Sequence, residues 1–222
     1  MTDTVGYYNR NAARYVADTV EVDLSALHRR FLAQIPSGGF ILDAGCGSGR
    51  DSYAFLQQGY RVRAFDAASE IVRRAAEYID QPVQVQRFEE LDERAAYDGI
   101  WACASLLHLP AAELPNALQR LWAALKPDGT LYLSLKQGDG ERVDPEGRHV
   151  TDATEAHLRD WLAELPEVAT IDCWLTPDER PDRTEIWLNA IVCRANKLMA
   201  PQWANSKVAV EPITIDQEGS DR

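Results

Sequence analysis

The stretch Phe40-Ile41-Leu42-Asp43-Ala44-Gly45-Cys46-Gly47-Ser48-Gly49-Arg50-Asp51-Ser52 constrains this chain more than any other. An apolar run, then alternate glycines, then helix-compatible residues reads as strand, tight turn, helix. Without a Cβ, the glycines let the backbone turn sharply and approach a ligand closely. The helix start adds free N–H groups. A turn of this kind delivers a ligand to the carboxyl end of a parallel sheet. Its G-x-G-x-G spacing departs from the G-x-G-x-x-G dinucleotide fingerprint. Asp43, two residues before the first glycine, would repel a phosphate and attract a ligand cation.

Strand-like and helix-like segments alternate along the rest of the chain. Leu24, Leu27, Phe31, Leu32 and Ile35 give an amphipathic helix over 21–35, ended by Pro36. Strands are expected at Phe40–Asp43, Arg61–Asp66, Val83–Arg87, at Tyr97-Asp98-Gly99-Ile100-Trp101-Ala102, and at Thr130–Leu135 after a Lys126–Gly129 turn. Helices are expected at Arg50–Gln58, with Gly59 beyond its end, at Ser69–Ile79 with Ser69 as cap, after Pro115, and after Thr154. Lys136–Arg142 reads as a polar loop, and Val168–Leu175 with Glu185–Cys193 as an antiparallel hairpin. The fold class is therefore α/β: a three-layer doubly wound sheet of about seven strands, mostly parallel, with an antiparallel C-terminal hairpin. Residues 1–194 read as one domain, with 1–35 a helical cap, and 195–222 as a tail with weak alternation at Val208, Val210, Ile213 and Ile215.

Asp66 ends the second strand, 17 residues after Gly49. An acid at this distance from a glycine loop can accept hydrogen bonds from both hydroxyls of a ribose; the alternative is a helix-capping role. His108, at the exit of the fourth strand, is neutral near pH 7 and suited to take a proton, or else to bond the backbone structurally. Tyr8, Ala12, Tyr15 and Val16 share one helical face, which either packs on the sheet or closes over a ligand.

The ordered segments LDAGCGSGRDS, the acid at Asp66, YDGIWACASLLH and LKPDGTLYLS together resemble class I S-adenosylmethionine (SAM) dependent methyltransferases over about residues 5–194. Within that class the chain looks generically like the bacterial small-molecule branch that includes tellurite-resistance-type enzymes. The resemblance implies a SAM site built from Asp43, Gly45, Cys46, Gly47, Gly49, Asp51, Asp66, Ala67, Ala102, Cys103 and Ala104. It adds Phe88 and Glu89 at the adenine, and Tyr8 and Tyr15 from a lid. Asp43 would anchor the methionine end. Arg87 stands where the family more often has an acid. The tentative catalytic residue is His108, and the tentative substrate residues are Ser105, Lys136, Trp174, Arg180 and Arg183. Trp174 reads equally as core and the two arginines as solvent-exposed.

A net charge of −12 disfavours a nucleic-acid partner and fits a small-molecule acceptor. Wobble-base methylation of tRNA, known for related short enzymes, is the second reading, and a non-catalytic SAM- or partner-binding protein the third. Cys46, Cys103, Cys173 and Cys193 are widely spaced with no CxxC pair, so neither a metal nor a disulfide framework is expected. The start MTDTVGYYNR has no basic or apolar export signal and no run is long enough for a membrane span. A cytoplasmic monomer or homodimer is expected.

Overall fold

The computed structural model describes residues 3–180 and 183–196. Strand β1 (Phe40–Ala44) runs mid-sheet, parallel to β2 (Arg61–Asp66) on one side and β4 (Tyr97–Ala102) on the other. β3 (Gln84–Val85) continues beyond β2, and β5 (Leu125–Gln137) beyond β4. β9 (Ile186–Arg194) lies antiparallel to β5, and β8 (Val168–Pro177) antiparallel to β9. The resulting order β3-β2-β1-β4-β5-β9-β8 is a doubly wound frame of seven strands in which only β9 runs against the rest.

Alternation within the central strands explains why both faces are covered. Leu42 and Ala44 of β1, Ile100 and Ala102 of β4, and Leu131 and Leu133 of β5 point to one face. There they meet Leu118, Leu121 and Trp122 of α5 (Leu114–Ala124) and Leu158 and Leu162 of α6 (Glu155–Ala163). Ile41, Trp101 and Tyr132 point to the other, against Phe31 and Leu32 of α2 (Ser25–Leu32) and Phe55 of α3 (Arg50–Gln57). Parallel strands buried on both faces need such continuous apolar runs. α4 (Ser69–Ile79) follows β2, and α1 (Thr4–Thr19) lies across it, with Tyr8, Ala12, Tyr15 and Val16 packed on Ala68 and Ile71.

Some expected elements are corrected. The segment after β5 is not a polar loop: it forms a hairpin of β6 (Gly140–Val143) and β7 (His149–Ala153), with β7 parallel to the last two residues of β5. Its turn is built by Asp144, whose carboxylate accepts the N–H groups of Glu146 and Arg148, and by Gly147 at φ +85°. The helix expected over 21–35 is confined to Ser25–Leu32, because Gln34 and Ile35 already bond three residues back in a tighter turn. Ser69 does not cap α4. Asn9 of α1 does so instead, its side-chain oxygen accepting the Glu70 N–H at 3.0 Å. Among the described residues no helix is long and apolar enough to cross a membrane. The expected tail beyond residue 196, with its alternation at 208–215, lies outside the described residues.

Candidate cofactor and acceptor site

Strand order reverses between β1 and β4, and the carboxyl ends of such neighbours border the natural ligand crevice of an open α/β sheet. The glycine turn leaves β1 there, and residues 103–108 leave β4. Gly45 has φ +79° and Gly47 φ +53°, conformations that side-chain-bearing residues rarely adopt. Each glycine also admits a neighbour: a Cβ at Gly45 would fall 2.4 Å from the Cβ of Ser105, and one at Gly47 2.7 Å from the Tyr15 hydroxyl. Ser105 is locked in place by its hydroxyl donating to the Ala44 carbonyl at 2.7 Å. Gly49 serves packing, its bare Cα lying against Ile79 and Ala75 of α4.

Two acids flank this turn in different surroundings. The Asp66 carboxylate accepts N–H groups from Gly47 (3.1 Å) and Ala68 (3.0 Å), which ties the glycine turn to the end of β2. Burial raises its pKa, and those N–H groups pull against the rise. Both oxygens keep a lone pair for a ligand hydroxyl. Asp43 is 1% exposed and accepts a 2.6 Å bond from the Ser52 hydroxyl. Burial and the nearby Asp51 carboxylate raise its pKa.

Asp51 is the hub beneath the turn. Its carboxylate receives Nε and Nη2 of Arg50 (2.8 and 2.9 Å), Nε2 of His28 (2.9 Å) and the indole N–H of Trp101 (2.9 Å). Burial alone would raise its pKa, yet Arg50 and His28 hold the carboxyl well below the ordinary range. With Arg50 engaged in this way, the acids beside the turn suit a nucleoside bearing a cation better than a diphosphate.

A cavity of about 230 Å³ opens from the turn. Gly45, Cys46 and Asp51 line it from the turn, Cys103, Ala104 and His108 from the β4 exit, and Tyr8 and Tyr15 from α1. Lys136, Arg180 and Arg183 line it from the far side. These expected residues are brought together. Each of the three cations has a carboxylate neighbour: Glu185 at 2.9 Å from Lys136, Asp178 at 2.5 Å from Arg180, and Glu185 at 4.0 Å from Arg183. Burial pushes the Cys103 thiol up to about 12, with Asp51 adding to the rise, so it stays protonated.

Other expected residues lie apart from the cavity wall: Asp43, Gly47, Gly49, Asp66 and Ser105 border the turn without lining the cavity. Ala102 is wholly buried in β4. Phe88 packs edge-on against Phe65, 5.5 Å between rings, while Ala67 follows Asp66 at the end of β2 and Glu89 is exposed beside Arg87. Trp174 sits under the Arg30 guanidinium at 3.6 Å and against Tyr132, on the α2 side of the sheet. That position fits the core reading of Trp174 and separates it from the cavity.

Several cavity residues were not legible in advance. Arg148, Glu146 and Val150 come from the unforeseen β6–β7 hairpin, and Trp187 and Asn189 from β9. Tyr132 and Ser134 also line the cavity, and they carry a faint signal as polar atoms inside the apolar run Thr130–Leu135.

His108 is held on both sides. Its Nδ1 lies 2.8 Å from the His149 carbonyl oxygen, which can only accept, so Nδ1 carries the proton. Nε2 then accepts the Tyr8 hydroxyl at 2.7 Å. Burial lowers the His108 pKa to about 4, Arg148 adds to the fall, and the ring is neutral at pH 7. Arg148 in turn donates to the Tyr8 oxygen at 3.2 Å.

The sequence profile of a family described as "Methyltransferase domain" matches residues 41–129, from β1 to the turn within β5. The chain is 35% identical over 106 residues to a ubiquinone biosynthesis O-methyltransferase of Xylella fastidiosa, covering 44% of this chain and 42% of that protein. It is 33% identical over 109 residues to an S-adenosyl-L-methionine-dependent Diels-Alderase of Talaromyces variabilis, covering 45% and 37%. The chain thus spans less than half the length of these curated relatives. Among solved structures, the Burkholderia thailandensis 1,6-didemethyltoxoflavin-N1-methyltransferase, bound to 1,6-didemethyltoxoflavin and S-adenosylhomocysteine, aligns with a TM-score of 0.66 at 25% identity. That alignment covers 88% of this chain and 92% of the other. Residues 41–129 thus resemble a methyltransferase domain, and most of the chain shares its architecture with the 1,6-didemethyltoxoflavin-N1-methyltransferase structure.

Proposed function

We propose that the protein binds SAM at the glycine turn and transfers its methyl group to a small-molecule acceptor held in the adjoining cavity. The observation that carries this reading is the Asp66 carboxylate bonded to the N–H of Gly47 at the switch point, beside a cavity roofed by α1. In this reading Asp66 receives the ribose hydroxyls, Phe88 and Glu89 border the adenine, and Gly45 and Cys46 face the methionine portion. Asp43, buried below the turn and bonded to the Ser52 hydroxyl, supports the turn beneath the methionine end. Bound there, SAM supplies an electrophilic methyl group on a sulfonium that is already a good leaving group.

The chain's own task is alignment and exclusion of water. Cys103 and Ala104 are small and leave room for the acceptor. α1, through Tyr8 and Tyr15, covers the turn. Positioning of this kind supplies a large share of the acceleration when the leaving group is already activated. A small-molecule acceptor fits a cavity of about 230 Å³ whose cations each have a carboxylate neighbour. A nucleic-acid acceptor calls for unopposed positive charge.

The reading is tested by incubating the protein with methyl-labelled SAM and a cell metabolite fraction, with purified tRNA in parallel. Label incorporated into a compound small enough for the cavity is the expected result. Incorporation into tRNA alone replaces this reading with the RNA one. SAM binding without label transfer to either fraction leaves a binding protein in place of a transferase.

A further inference from the structure

Tyr8 and His108 form a proton path that opens onto the cavity. Both line it. The chain of contacts runs from the Tyr8 hydroxyl to Nε2 of His108 (2.7 Å) and from Nδ1–H to the His149 carbonyl (2.8 Å). The second contact fixes the tautomer and leaves Nε2 as the only basic atom of the ring. Because Tyr8 occupies that atom, a molecule in the cavity reaches the base only through the tyrosine oxygen.

On the basis of the transferase reading above, we propose that Tyr8 is a catalytic residue, relaying the acceptor's proton to His108, and that the acceptor atom is a neutral hydroxyl. In the transfer, the acceptor oxygen bonds to the methyl carbon as the methyl–sulfur bond breaks, leaving its electron pair on sulfur. The acceptor's O–H proton passes to the Tyr8 oxygen, while the Tyr8 proton passes to Nε2. The ring becomes an imidazolium, which later returns its proton to solvent.

The surroundings of the pair favour a hydroxyl over an amine. Arg148 and Tyr7 pack beside Tyr8, Tyr15 meets it edge-on at 5.0 Å, and Asp66 acts on it from β2. Around His108, Arg148 and His149 oppose a positive ring while Asp144 favours it. Burial dominates and makes His108 a weak base. A methylated hydroxyl that still carries its proton is a strong acid, and a weak base suffices to take it. A neutral amine attacks through its own lone pair and its product sheds the proton to solvent. The built relay of Tyr8, His108 and the His149 carbonyl thus serves a hydroxyl, which must lose its proton as it attacks. The Arg148 contact at 3.2 Å steadies the tyrosine oxygen as its proton leaves.

The test uses the full chain with two variants, Tyr8→Phe and His108→Gln, and three readouts. S-adenosylhomocysteine affinity is measured by calorimetry. Methyl transfer from labelled SAM is measured to phenol, 4-nitrophenol and benzylamine at millimolar concentration. Nitrogen-15 spectra of the imidazoles give the His108 tautomer. The proposal predicts phenol methylation, with kcat falling about 100-fold in Tyr8→Phe, within the range of general acid–base catalysis, while KM for SAM holds. The loss is smaller for 4-nitrophenol, which is already partly ionised near neutral pH, and the double variant is no worse than either single one. The spectra show Nδ1–H in the wild type. Equal rates in wild type and Tyr8→Phe overturn the proposal, as does methylation of benzylamine but not phenol. Tight S-adenosylhomocysteine binding with no phenol turnover overturns the hydroxyl assignment. Absence of S-adenosylhomocysteine binding instead removes the underlying cofactor reading. Tyr8→Phe keeps the ring in place and carries the test if His108→Gln fails to fold.

Discussion

Replacing His108 by glutamine should change how stability depends on pH. The ring is neutral in the fold with a pKa of about 4, against an ordinary value of 6.5. Its folded pKa is depressed, so between those values the unfolded chain binds the proton more readily. Unfolding is therefore favoured as pH falls through this window, and the group costs nothing above pH 7. The linkage relation gives up to about 2 kcal/mol lost at pH 5 and up to about 3 kcal/mol near pH 4, relative to neutral pH. Urea unfolding followed by tryptophan fluorescence between pH 4.5 and 7.5 measures this for both proteins. Glutamine removes the titration while its amide can still bond the His149 carbonyl or the Tyr8 hydroxyl. The variant starts less stable at pH 7 and loses less on acidification, so the two stability curves converge. Carboxylates held below their usual range, such as Asp98, Asp144 and Asp178, destabilise both proteins in acid and drop out of the difference. Parallel curves would refute the neutral, buried imidazole and the hydrogen-bond assignment built on it.

Further expectations concern the turn and its supports. Asp51→Ala leaves Arg50 and the Trp101 indole without their buried acceptor and should cost about 3–5 kcal/mol in chemical denaturation. Gly47→Ala places a Cβ at a left-handed position facing the Tyr15 hydroxyl; a loss of about 1–2 kcal/mol and weaker SAM binding are expected, read by denaturation and calorimetry. Asn9→Ala removes the acceptor for the Glu70 N–H and should cost about 1 kcal/mol, with faster amide exchange at the start of α4. Trp174→Leu should lower stability through the lost Arg30 contact while leaving acceptor KM unchanged.

Much of the frame was legible because each of its features is local. The run Phe40–Ala44 followed by alternating glycines specifies strand and turn within a dozen residues. Asp66 announces the end of β2, and the alternation of Ile41 with Leu42 dictates two covered faces. The β6–β7 hairpin escaped notice because β6 is wholly exposed, with Val143 its one apolar side chain, leaving only the Asp144–Gly147 turn residues and the β-branched pair Val150-Thr151 to signal it. The cap of α4 was misassigned to Ser69 because its true acceptor, Asn9, lies 61 residues away. The same distance in sequence hid the pairing of Tyr8 with His108, 100 residues apart, though each was singled out alone. Trp174 was ambiguous because a tryptophan in a strand looks the same whether it meets a ligand or a guanidinium.

The central claim is that the glycine turn and Asp66 hold SAM. Calorimetric titration of S-adenosylhomocysteine into the wild type and Asp66→Ala tests it most directly. The account predicts saturable one-to-one binding to the wild type, with affinity falling about 10- to 100-fold in the variant, as loss of hydrogen bonds to a charged acceptor implies. Undetectable binding at millimolar ligand, or the same affinity in both proteins, would contradict it.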